Sequence, residues 1–167
     1  MPWFDPESGG VGAAVLVLLQ DPSRVAAHGS RLISRHNNDP TAGNTHRVFT
    51  GAGLLTSMTV HWNVVPWWVA DPDIPAEQRL SLAGAARRAR PHLHSLLDLL
   101  AALQVVVLLG REAQRAWDAS GTSLPGVPVV RAPHPSPLAF NAIDKGTGRV
   151  NRELLREAVD RAGAAVL

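Results

Sequence analysis

Three short runs of apolar, β-rich residues constrain this chain more than anything else in it. They are Ala13 to Leu19, Thr59 to Val65 and Val105 to Leu109. The first and third are apolar throughout, so each reads as a strand covered on both faces, and the second reads as a strand by its β-branched and aromatic residues. The first stops at Gln20-Asp21-Pro22, the second at Pro66, and the third at Gly110. Proline has no N–H to give to a central ladder, so the first two strands cannot run on. A fourth short run, Val127 to Ala132, leads into Pro133-His134-Pro135-Ser136-Pro137.

Helical patterns lie between these runs. Asp39-Pro40-Thr41 looks like a helix start, and that helix should reach about Ala52, before Gly53. Glu77 to about Leu103 reads as one long segment interrupted near Pro91. Gly110 opens a helix from Arg111 to Asp118, and an amphipathic helix from Asn151 to Ala165 closes the chain. The first ten residues read as an irregular lead-in, Ser23 to Asn38 as polar and irregular with a turn near Val25, and Trp67 to Pro75 as a loop. Alternation of this kind predicts an α/β fold. The expectation is one three-layer αβα domain over residues 1–167, with a central, mostly parallel four-stranded sheet.

Composition narrows the chemistry. Apolar residues make up 46% and charged residues 18%, which is globular. The pI of about 10.3 overstates the basic character, because the net charge is only +2 and little titrates between His and Arg. Charge alone therefore does not argue for nucleic acid. The absence of cysteine excludes disulfides, thiol catalysis, iron–sulfur clusters and thiolate zinc sites. His92 and His94 sit two apart, diverge on a helix, and do not suggest a metal site. No apolar run reaches the ~20 residues of a membrane span, and acidic residues before Val11 to Leu19 make a poor signal peptide. A soluble, cytoplasmic protein without metal or cofactor is expected.

In open parallel sheets, ligands bind beyond the carboxyl ends of the strands. Polar motifs occupy three such ends: Gln20-Asp21-Pro22, Asn63 to Pro66, and His134-Pro135-Ser136-Pro137. Taken singly, Asp21-Pro22 is an ordinary turn or cap, Asn63 a strand-end turn residue, and His134 a loop histidine. Together, and in this order, they should meet on one rim.

The sequence Leu19-Gln20-Asp21-Pro22, then Trp62-Asn63-Val64-Val65-Pro66-Trp67, then His134-Pro135-Ser136-Pro137-Leu138 resembles the uracil-DNA glycosylase superfamily. The resemblance runs from about Phe4 to the C-terminus, and Leu109-Gly110-Arg111-Glu112-Ala113 also fits it. It implies an enzyme that flips uracil out of single- or double-stranded DNA and hydrolyses its N-glycosidic bond. Asp21 matches the carboxylate that orients water and stabilises the sugar cation. His134 matches the donor to the leaving base anion, and Asn63 the amide that reads the base edge. Gln20 and Pro22 would flank the substrate, Ser136 would contact phosphate, and Leu138 would wedge into the duplex. With no lysine placed for a Schiff base, the product would be an abasic site without strand cleavage. The enzyme would act as a monomer with DNA as its partner.

The chain departs from the family after the first motif. Ser23 and Arg24 follow Pro22, and no aromatic residue occurs until Phe49, which reads as core. Leu32, Ile33 or His36 would then stack on the base. The polar stretch from Ser34 to Thr41, with Asn37 and Asn38, would line the pocket or touch DNA. Of Trp67 and Trp68, either both face DNA or one packs inside while the other shields a loop. Arg87, Arg88 and Arg90 are the densest basic cluster, either a solvated helix face or a phosphate contact. The odd first loop keeps a deaminated purine open as substrate. A non-catalytic damage-binding module and a hydrolase of free nucleosides also remain open.

Overall fold

The computed structural model describes residues 1–166. In chain order the elements are β1 (Trp3–Phe4), β2 (Val15–Leu19), β3 (Leu32–Ile33), α1 (Pro40–Gly51), β4 (Thr59–Asn63), α2 (Leu82–Leu99), β5 (Val105–Leu109), α3 (Arg111–Ser120), β6 (Val129–Ala132), α4 (Pro137–Asn141) and α5 (Asn151–Gly163). The main sheet has four strands in the order β4-β2-β5-β6, and every pairing is parallel. The α/β architecture expected from the alternating runs is the one observed. β1 and β3 form a separate two-stranded parallel ribbon that the apolar patterning did not signal.

Side chains alternate along a strand, so β2 and β5 feed two cores. Val15, Val17, Val105, Val107 and Leu109 face α1 and α5, where Phe49, Leu155 and Val159 meet them. Leu16, Leu18, Val106 and Leu108 face α2 and α3, against Ala85, Ala89, Leu93 and Trp117. These residues are almost all inaccessible, which is why both strands are apolar at every position.

Boundaries differ from the sequence reading where backbone bonding decides them. β4 ends at Asn63, yet the chain stays on β2, because Val64 N–H donates to Leu19 O and Val65 N–H to Gln20 O, both at 2.9 Å. Pro66 then ends the contact. Pro91 does not break α2, which runs through it with Arg87 and Pro91 both on the exposed side. A proline there removes one bond from a carbonyl that water reaches. Glu77 instead belongs to a separate turn, Ala76–Gln78, and α2 starts afresh where Ser81 Oγ accepts from Gly84 N–H at 3.2 Å. The turn near Val25 is a short π-type turn, Val25–Gly29.

The register places the strand ends level. Leu19 pairs with Asn63, and Leu109 with Ala132. Asp21, Asn63 and His134 therefore leave the sheet along one edge. Phe49 is fully buried on α1, in the core as its sequence position suggested. Phe49→Ala is expected to lower unfolding free energy by about 3–5 kcal/mol, measured by denaturant titration.

Candidate active site

At that edge lies a cavity of about 300 Å³ whose walls include Asp21, Asn63 and His134. That is the lower end of the usual ~300–1,000 Å³ for small-ligand sites. Asp21 follows β2, half-buried, and its Oδ2 accepts from Val69 N–H at 2.7 Å. This bond ties the first strand end to the loop after β4. Burial pushes the Asp21 carboxyl above its ordinary pKa, and the Val69 N–H partly opposes it.

Asn63 is the last residue of β4 and is buried. Its Nδ2 has no hydrogen-bond partner among the described residues. His134 stands two residues past β6, and its Nδ1 accepts from Ser136 N–H at 3.0 Å. In a neutral ring that assignment leaves the proton on Nε2. Burial holds the imidazole below its ordinary pKa, favouring the neutral form.

Two contacts seat the His134 loop. Asn44 of α1 donates from Nδ2 to Pro135 O at 2.7 Å, and Arg47 donates to Asn44 Oδ1 at 2.8 Å. Gly110, with φ +94°, lies against the ring: a Cβ there would come 2.8 Å from His134 Cδ2 and 2.9 Å from His134 Cβ. Only glycine suits that backbone and that distance.

Another part of the wall comes from the stretch that leads into α1 and from its first turn. Ile33, Ser34, Arg35, Asn37, Asp39 and Thr41 line the cavity. Several are already engaged. Ser34 Oγ donates to Asp5 Oδ2 at 2.5 Å, and Asn37 Nδ2 donates to Leu32 O at 2.9 Å. Asp39 caps α1 by accepting from Ala42 N–H at 2.9 Å. Arg35 is buried and donates to Leu54 O and Thr56 Oγ1.

The structure brings Asp21, Pro22, Ile33, Asn37, Asn63 and His134 together but leaves other expected residues outside. Gln20 lines a neighbouring groove of about 900 Å³, shared with His134, Arg111 and Lys145. Asn38 and His36 are exposed and line neither space, nor does Leu32. Ser136 precedes α4 and holds His134 through its N–H. Leu138, 87% exposed, projects from α4. Trp67 packs on the core, whereas Trp68 lines the cavity. Arg87, Arg88 and Arg90 are an exposed helix face and line neither space.

His61 is a lining residue that the sequence did not single out, and Trp68 one that it left between facing DNA and shielding a loop. The His61 signal was its place two residues before Asn63, on the same strand face. The Trp68 position depends on loop packing, which leaves no local pattern. Among the described residues no group of three His, Cys, Asp or Glu side chains is placed to hold a metal ion, and no helix is long and apolar enough to cross a membrane.

Residues 7–158 match the family model of the Uracil DNA glycosylase superfamily. The chain belongs to that superfamily. No curated protein matches it. Superfamily membership supports a DNA glycosylase, a hydrolase of DNA repair. In such an enzyme, His134 depends on the space Gly110 leaves. Gly110→Ala should therefore reduce the single-turnover rate by on the order of 10²-fold. Gly121→Ala, also at positive φ but with only Arg90 within 4 Å among the described residues, should cost stability and leave the rate intact.

Proposed function

We propose that this protein is a monofunctional uracil-DNA glycosylase. The observation that carries the reading is the convergence of Asp21, Asn63 and His134 on one cavity, with the buried Asn63 amide nitrogen unpartnered. A base inside a duplex cannot reach such a cavity, so the nucleotide must be extruded into it. Breaking the glycosidic bond builds positive charge on the sugar and negative charge on the base. Asp21, as carboxylate, stabilises the first and orients the attacking water.

The second charge falls to His134. A neutral imidazole whose Nδ1 is occupied presents Nε2–H to a base carbonyl, a preorganised donor in a desolvated site. Asn63 supplies the amide that pairs with the N–H and carbonyl of the uracil edge. Ile33 and Trp68 are, with Leu19, the largest apolar side chains in the wall, and a ring would lie against such surfaces. Lys145, the one lysine of the chain, lines the neighbouring groove and not the cavity. That placement favours simple hydrolysis over a Schiff base. The exposed Leu138 fits an apolar wedge.

The ionisation states work in one direction. Asp21 acts as carboxylate, so activity is lost as pH falls through its raised pKa, above the ordinary 3.8. His134, held below the ordinary 6.5, stays neutral as pH drops through that value. Because burial disfavours the ionised Asp21, its charge lowers folded stability at every pH above its folded pKa. Asp21→Asn is expected to abolish at least ~10²-fold of the rate without lowering Tm at neutral pH.

The test uses labelled oligonucleotides carrying uracil, hypoxanthine or xanthine, single-stranded and paired, with alkaline cleavage of abasic sites. Cutting at uracil that vanishes in Asp21→Asn is the expected result. Cutting only at a purine would overturn the uracil assignment. Binding without cutting would leave a damage-recognition module.

A further inference from the structure

Three buried side-chain nitrogens lack a hydrogen-bond partner among the described residues: His46 Nδ1, His61 Nε2 and Asn63 Nδ2. Two of the three belong to residues that line the same cavity. Burying a polar atom unpaired is costly, and native structures rarely leave one without a reason. Asn63 already has a reason in the base it would read. His61 has none.

Its geometry repeats that of Asn63. Both lie on β4, two residues apart, so both side chains leave the same face, about 6.6 Å apart along the strand. Their register partners on β2 are Val17 and Leu19. His61 is 5% exposed, and Phe49 closes it from one side, edge to face at 5.3 Å. Burial and the nearby Arg35 cation push its pKa down to about 3. The ring is therefore neutral wherever the enzyme works, with one N–H donor and one nitrogen acceptor. A neutral imidazole suits a neutral nucleobase edge and does not suit a phosphate, which would call for a cation.

We propose that His61 is a second base-reading residue, which hydrogen-bonds a carbonyl or ring N–H of the flipped base beside the edge held by Asn63 and so sets which base is accepted. This rests on reading the cavity as the base pocket. The ligand class is an oxo-bearing nucleobase. A base with only hydrogen or methyl at that point would leave the imidazole unpaired and be disfavoured.

His61→Phe keeps a planar ring and removes both polar functions. Its kcat/KM on the preferred base should fall by on the order of tenfold or more, and by less on the weaker bases, so selectivity narrows. Affinity for an oligonucleotide with an abasic site, which has no base to read, should not change. Tm should hold or rise, because an unpaired polar group leaves the core. His61→Gln, with an amide donor and acceptor, should recover part of the selectivity.

Wild-type kcat/KM in His61→Phe on every base overturns the proposal, as does an equal loss on every base. A fall in Tm and abasic-DNA affinity together, with no recovery in His61→Gln, assigns His61 a structural role and also overturns it. Should the phenylalanine variant not fold, His61→Leu is read by the same criteria. Absence of cutting by the wild-type protein on any base removes the base-pocket reading itself, and this proposal with it, which distinguishes the two failures.

Discussion

Double-sided burial of β2 and β5 is the constraint on which the rest of the structure depends. A parallel strand covered on both faces must be apolar at every position, and its neighbours must supply helices above and below it. That arrangement leaves only the strand ends for chemistry. Because the pairing is parallel and level at Leu19, Asn63 and Ala132, three polar motifs far apart in sequence emerge along one edge. The helices that complete the layers also serve the site. α1 caps its own start with Asp39 on the cavity wall and, one turn later, holds the His134 loop through Asn44.

Desolvation does two jobs at this edge. It raises the pKa of Asp21, lowers those of His134 and His61, and strengthens any hydrogen bond formed there. It also leaves nitrogen atoms of Asn63 and His61 unpaired among the described residues. Such atoms weaken the folded state, and in the proposed reading a polar ligand would pair them, a common exchange of stability for function. Among the described residues the wall thus holds two carboxylates, Asp21 and the helix-capping Asp39, together with uncharged polar groups and the cation Arg35, engaged by Leu54 O and Thr56 Oγ1. Basic side chains lie in the adjoining groove, where Arg111 pairs with Asp144 at 3.7 Å and Lys145 is exposed.

Much of this was legible in the residues. The apolar runs marked three sheet strands, Asp39-Pro40 marked the start of α1, and Pro22 and Pro66 marked where two strands had to stop. Phe49 was legible as core because it sits inside a helical pattern. The convergence of the three motifs followed from the rule that parallel sheets bind ligands at their carboxyl ends. Less legible were elements held by few residues or by distant partners. β1 and β3 are two residues each and carry no periodicity. α4 is a five-residue helix opened by Pro137. Pro91 looked like a break, but its place on the exposed side of α2 lets the helix pass through.

Sequence by itself determined which residue types stand at the strand ends, because local patterning and proline placement decide where strands stop. It therefore determined the α/β architecture and the carboxylate, amide and imidazole of the rim. Only the tertiary structure decided which polar side chains face the cavity and which are already engaged. Asn37 and Asn38 are adjacent and chemically identical, yet one lines the cavity and the other is exposed. His61 is one of seven histidines, distinguished only by what does and does not touch it. Burial and hydrogen-bond satisfaction arise from residues distant in sequence, and no local pattern records them.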